Sequence, residues 1–164
     1  MTRILVTLMF AALHSACNGE VPAGRGTAQN TAAILSGADK SAAANNPRCR
    51  LFTEAEVAKY LGEAVVAGRN AAMGAGCQWP AADGSGHVIV SIAPSSYHAP
   101  PSAVEGFREL NNVGTRGYVS PELKGWTAGA IAGESTVVVT VEGSAASEAN
   151  TVALLKDAIQ RTQS

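Results

Sequence analysis

An apolar run, Ile4 to Leu13, preceded by Arg3 and closed by His14-Ser15-Ala16-Cys17, withdraws the start of this chain from any globular fold. A cation, an apolar stretch of about ten residues and a small-residue exit are the parts of a secretory signal, and such a stretch is too short to cross a bilayer as a helix. Residues 1–16 are therefore expected to be a cleaved signal peptide. The cysteine at the exit fits the processing box of lipoproteins, in which that cysteine becomes the acylated first residue. The box usually carries leucine three places before the cysteine; here His14 stands there and Leu13 lies one place further back. The sequence predicts acylation of Cys17, for instance by palmitate, and a protein anchored by lipid to a membrane of the cell envelope, facing the periplasm or the exterior. Without the modification it would be secreted.

The stretch after Cys17 changes character. Residues 18–46 are mainly Ala, Gly, Asn, Ser and Thr, a composition that cannot bury enough apolar surface to offset the entropy of ordering. Segment 17–46 is expected to be the lipidated cysteine followed by a flexible tether, with a reach of roughly 30 Å for about 29 residues. That leaves 47–164 as a single folded domain, a length suited to one core. With the signal removed, eleven basic residues face thirteen acidic ones. No basic excess is left to neutralise phosphates, so no nucleic-acid partner is expected.

Within 47–164, Thr53-Glu54-Ala55-Glu56 is a capping box, flanked by Phe52 and Val57 as a hydrophobic staple and followed by Gly62 as a left-handed stop. It predicts a helix over 54–61. The period then shortens to two, predicting strands over 64–67, 77–79 and 87–93, with a glycine-rich connection around Gly74 and Gly76 and a turn at Asp83-Gly84-Ser85-Gly86. Ser102-Ala103-Val104-Glu105 reads as a second capping box opening a helix to about Leu110. Residues 111–125 read as turns. Trp126–Ile131 and Thr136–Val141 read as a hairpin, and Glu148–Arg161 as a closing amphipathic helix. The expected fold is α+β, an antiparallel sheet of about five strands with helices on one face, in the order α-β-β-β-α-β-β-α.

With Cys17 assigned to lipid, Cys49 and Cys77 remain. In an oxidising compartment a disulfide is their simplest fate, and a small domain in a chain with only 5% aromatic residues would draw on such a staple. The rival is a metal site of Cys49, Cys77, His87 and His98, whose spacing matches no usual zinc pattern. The runs Cys49-Arg50-Leu51-Phe52-Thr53, Glu56-Val57, Leu61-Gly62 and Gly76-Cys77-Gln78-Trp79, with Val113-Gly114 and Tyr118 further on, resemble a group of small secreted bacterial lipoproteins of unknown function. The likeness covers about residues 49–160 and rests on structural positions. It implies an envelope lipoprotein with Cys49 paired to Cys77, and it implies no activity.

The chain offers little recognisable chemistry. Ser95 and Ser96 lack the Gly-x-Ser-x-Gly elbow of a hydrolase, and Gly114-x-x-Gly117 lacks the Lys-Ser/Thr of a phosphate loop. Glu54 and Glu56 are explained by capping. No catalytic residue, metal or cofactor is predicted. The bulky groups in or beside loops, Tyr97, His98, Pro100, Pro101, Tyr118 and Trp126, form the candidate binding surface, because recognition residues concentrate there; Trp79 and Phe107 are assigned to the core. The leading expectation is a non-enzymatic, membrane-tethered binding module for a protein, peptide or envelope component. A secreted enzyme built around His98 with a carboxylate such as Glu105 or Glu109 is one alternative. An inhibitor of envelope or extracellular hydrolases that probes with loop 94–101 is another.

Overall fold

The computed structural model describes residues 45–164. The segment expected to be a signal, Cys17 and nearly all of the expected tether lie outside the described residues. Helix α1, Glu54–Leu61, begins as its capping box dictates: the Thr53 amide donates to Glu56 Oε2 at 2.7 Å and the Glu56 amide to Thr53 Oγ1 at 3.3 Å, while Gly62 closes the helix at φ +84°. Seven strands follow, β1 Arg69–Ala71, β2 Gly76–Pro80, β3 His87–Pro94, β4 Arg108–Leu110, β5 Thr115–Glu122, β6 Gly125–Ala132 and β7 Ser135–Glu142, and the chain ends in helix α2, Glu148–Thr162, capped by Ser147.

The expected five-strand order is thus corrected to seven antiparallel strands and two helices, a mostly β structure. Three local signals were outweighed. Residues 64–67 contribute only one bridge, Val65 to Ala81, and the strand that pairs with β2 is β1, inside the stretch expected to be connection. The capping box at Ser102 opens no helix. Instead, two tight turns follow each other, Val104 N to Pro101 O and Phe107 N to Val104 O, because Gly106 turns left-handed at φ +85° and Phe107 is drawn onto Tyr118. The expected turn region 111–125 contains β5. Gly117 is required there, since a Cβ would come within 2.4 Å of the Val113 carbonyl oxygen. Pro121 is accommodated because β4 pairs only with Gly117 to Val119, leaving Pro121 one neighbouring strand.

The sheet order is β1-β2-β3-β7-β6-β5-β4. Two meanders, β1 to β3 and β4 to β7, are joined side by side through β3 and β7, so the β3–β4 connection must pass over three strands. Register separates two faces. On the inner face, Val90, Val139, Ala128 and Val119 form one row and Val88, Val141 and Trp126 the next. Both helices pack here: α1 supplies Val57 and Leu61, and α2 supplies Leu154, Leu155 and Ala158, all buried. The small Ala128 and Ala130 let α2 lie close over β6. Arg161 of α2 binds Glu56 of α1 at 2.8 Å and lies over the Phe52 ring at 4.3 Å. Its hydrogen bonds, with those of Thr53, hold the Glu56 carboxyl at about 2.

The amino-terminal side of the domain is fastened twice. Asn46, placed by composition at the end of the tether, is buried, and its Nδ2 donates to Asn70 Oδ1 at 2.8 Å and to the Gly76 carbonyl at 2.9 Å. Cys49 and Cys77 form a disulfide between the turn Pro47–Arg50 and β2, with Cα atoms 5.0 Å apart. Chain-entropy arguments give such a closure about 3–4 kcal/mol, a large share of a small domain's stability. Replacing both cysteines by alanine should lower the urea unfolding free energy by about that amount. Under dithiothreitol the natural protein should fall to the same level, and an unchanged midpoint in either case would contradict the assignment.

Candidate functional site

Among the described residues no helix packs on the outer face of the sheet; the β3–β4 connection crosses it instead. After β3 a short 3₁₀ turn, Ser95–Tyr97, delivers His98 to a position where its ring touches two strands. Nδ1 lies 2.9 Å from Thr136 Oγ1 of β7 and Nε2 lies 3.1 Å from the Arg116 carbonyl of β5. A carbonyl can only accept, so Nε2 carries the proton and Nδ1 accepts from Thr136. The connection continues through Pro100 to Phe107, whose ring stacks on Tyr118 at 5.9 Å, while His98 approaches the same tyrosine at 5.7 Å. Tyr118 is buried under these two rings and lies over Gly129, where an added Cβ would come within 2.8 Å of two ring carbons and the phenolic oxygen. Glycine at 129 is what allows the tyrosine to lie down.

Between the connection and the β4–β5 hairpin is a hollow of about 350 Å³, lined by Pro100, Ser102, Phe107, Glu109, Leu110, Asn111, Arg116, Gly117 and Tyr118. Its floor is aromatic and its rim carries one carboxylate and one guanidinium. The rim is shaped by a bulge in β5 between Thr115 and Tyr118, at which Arg116 takes a left-handed φ of +54°. Bulges re-aim side chains, and strain of this kind in a non-glycine residue is held in place by its surroundings. Here the surroundings are the His98 hydrogen bond to the Arg116 carbonyl and the glycine that follows.

Of the residues singled out from the sequence, Pro100 and Tyr118 meet at this hollow. His98 packs behind Tyr118 without lining it, and Tyr97, 73% exposed, stands at the start of the connection. Trp126 is not part of the group: it opposes Val141 on the inner face and packs against the core. The rival metal set of Cys49, Cys77, His87 and His98, set aside on its spacing, is not assembled either. Both sulfurs are in the disulfide, and His87 and His98 leave opposite ends of β3, His87 Nδ1 lying 3.8 Å from Glu142. Nor does His98 meet Glu105 or Glu109; among the described residues both its ring nitrogens are engaged by Thr136 and Arg116. Phe107 and Arg116 were missed. The first looked like a helix core residue, and the second lay inside a presumed turn, although the close pair Gly114 and Gly117 around it hints at a bulge.

No protein-family model, curated protein or solved structure matches the chain.

Burial holds the His98 pKa below its ordinary 6.5, with the nearby Arg116 charge acting in the same sense and the hydrogen bond to its carbonyl opposing. The neutral ring is thus the one the fold favours. The unfolded chain takes up its proton at higher pH than the folded one, so stability from this site is complete above about 6.5 and declines as pH falls through the lowered value. His98→Gln should cost about 1–2 kcal/mol at pH 7.5. That difference from the natural protein should shrink between pH 7 and pH 5 in urea titrations, and a constant difference across the range would show that His98 is no clamp.

Proposed function

We propose that the protein is a lipid-anchored binding module of the cell envelope, which holds its ligand or partner in the hollow between the β3–β4 connection and the β4–β5 hairpin. The reading is non-enzymatic. Its anchor is the acylated Cys17, its stand-off from the membrane is the tether, and its working end is the outer face of the sheet.

One observation carries it: the half-buried Phe107, stacked on Tyr118, lines with Pro100 a hollow that opens to solvent and has unlike charges at its rim. Binding sites are usually concave, with polar groups that orient the ligand, and about 300–1,000 Å³ is their usual size; this hollow has the shape and the size, with a lining at least as polar as it is apolar. The half-buried Phe107 has an apolar ring on offer that the core does not use. The clamp of His98 fixes the connection before any ligand arrives, which lowers the ordering cost of binding. The disulfide between Cys49 and Cys77 supports an oxidising address, as does the signal-like start of the chain.

Two measurements in living cells test the reading together. A photo-crosslinking amino acid at Ser102, on the rim, should yield an adduct detectable by intact-protein mass spectrometry. The same residue at Leu123, in the exposed β5–β6 turn, should yield none, and Phe107→Ala should abolish the Ser102 adduct. Cys17→Ala should move the protein out of the membrane fraction. Equal adducts at both positions, or a Cys17→Ala variant that stays membrane-bound, would count against the proposal.

A further inference from the structure

The rim of the hollow holds two charges that the fold does not use. Among the described residues, ion pairs join Arg108 with Glu148 and Arg161 with Glu56, and His87 lies 3.8 Å from Glu142. Glu109 and Arg116 belong to none of these, although both line the same hollow and come from the two strands of one hairpin. Glu109 stands opposite Tyr118 in the register, so it projects on the outer face, over the aromatic floor. Arg116 is two residues before that tyrosine, in the bulge, with its backbone tied by the His98 ring. Both side chains are exposed at the hollow, and no ion pair joins them to each other.

The geometry points to a ligand that is itself a zwitterion: a short peptide of two or three residues with a free amino group, a free carboxylate and an apolar side chain. Arg116 offers the fork of donors that matches a carboxylate. Glu109 accepts from an ammonium group, with Asn111 and Ser102 on the same rim as further hydrogen-bonding groups. Phe107, Leu110 and Pro100 take the side chain. At about 350 Å³ the hollow lies at the small end of the range for ligand sites, too small for a long segment of a folded partner. A single-sign ligand would leave one rim charge with water alone, whereas a zwitterion answers both. This inference rests on the hollow being the binding site, as proposed above, and adds the class of ligand.

Isothermal titration calorimetry on the purified full-length protein decides it, with the dipeptide Leu-Phe as the probe and its N-acetylated and C-amidated forms as controls. The free dipeptide should bind. Acetylation and Glu109→Gln should each weaken it about tenfold or more, and so should amidation and Arg116→Asn, since each removes a charge-assisted contact. Asparagine is chosen at 116 because it tolerates the left-handed backbone there. The pairing should be specific: acetylated peptide should lose nothing further to Glu109→Gln, nor amidated peptide to Arg116→Asn. Thermal midpoints within a few degrees of the natural protein's will show that both variants fold, and Arg116→Lys, retaining the charge, should recover part of the affinity. Binding that ignores blocking of either end overturns the inference, as does no binding of Leu-Phe. In the latter case, a Ser102 crosslink in cells that Phe107→Ala abolishes would leave the hollow as the site while removing this ligand class.

Discussion

Two helices can cover only one side of a wide sheet, and most of this molecule follows from what is done with the other side. The inner face is closed by ordinary apolar packing of valines and alanines against α1 and α2. The outer face is closed by a tyrosine laid over a glycine. Tyr118 covers Gly129 on the neighbouring strand, and the β3–β4 connection then settles on the tyrosine through His98 and Phe107. A large ring paired across strands with glycine fills the gap the glycine leaves, a device that stabilises sheets where a side chain is missing. Ser120, Thr127 and Thr136 on the same face are buried as well, two of them with side-chain hydrogen bonds to neighbouring strands or to His98.

The topology makes that packing obligatory. Because β7 inserts beside β3, the two meanders can be linked only by a connection that reaches the far edge of the sheet. A chain crossing a sheet face must satisfy its own polar groups while it excludes water from the strands below. His98 does the first by linking β7 to the β5 bulge, and Pro100 and Phe107 contribute to the second. The hollow is the remainder: the part of the outer face between connection and hairpin that the crossing leaves open. The same bulge that receives the His98 hydrogen bond also sets Arg116 on the rim, so fold and candidate site share their parts.

How much of this could be read from the chain depends on whether the controlling interactions are local. The α1 helix was legible to the residue, because capping box, staple and glycine stop all lie within a dozen positions. β3, β6, β7 and α2, whose apolar periods are longer and more regular, were legible to within one residue at each end. The outer edge strands were not. β1 and β4 are three residues each and are strands only because a neighbour pairs with them. β5 carries Gly117 and Pro121, which read as breaks, and its identity comes from close approach to Val113 and from a missing neighbour at the edge. At Ser102 the local signal pointed the wrong way, since a capping box lost to the stacking of Phe107 on Tyr118, a contact that exists only once β4 and β5 have paired. Of the site, Tyr118 and Pro100 were visible as bulky groups near loops, while the Gly129 beneath Tyr118 carried no signal until the register was known. Trp126 looked like a surface residue for want of the same information.

The central claim is that the ring of Tyr118 resting on Gly129 organises the outer face, and a double-mutant cycle measures it. Gly129→Ala should destabilise the natural protein by about 1–3 kcal/mol, the usual cost of forcing a methyl group into a filled site. In a Tyr118→Ala background the same change should cost almost nothing, giving a coupling of at least about 1 kcal/mol between the two positions. Strictly additive losses, with Gly129→Ala as costly without the tyrosine as with it, would contradict the account.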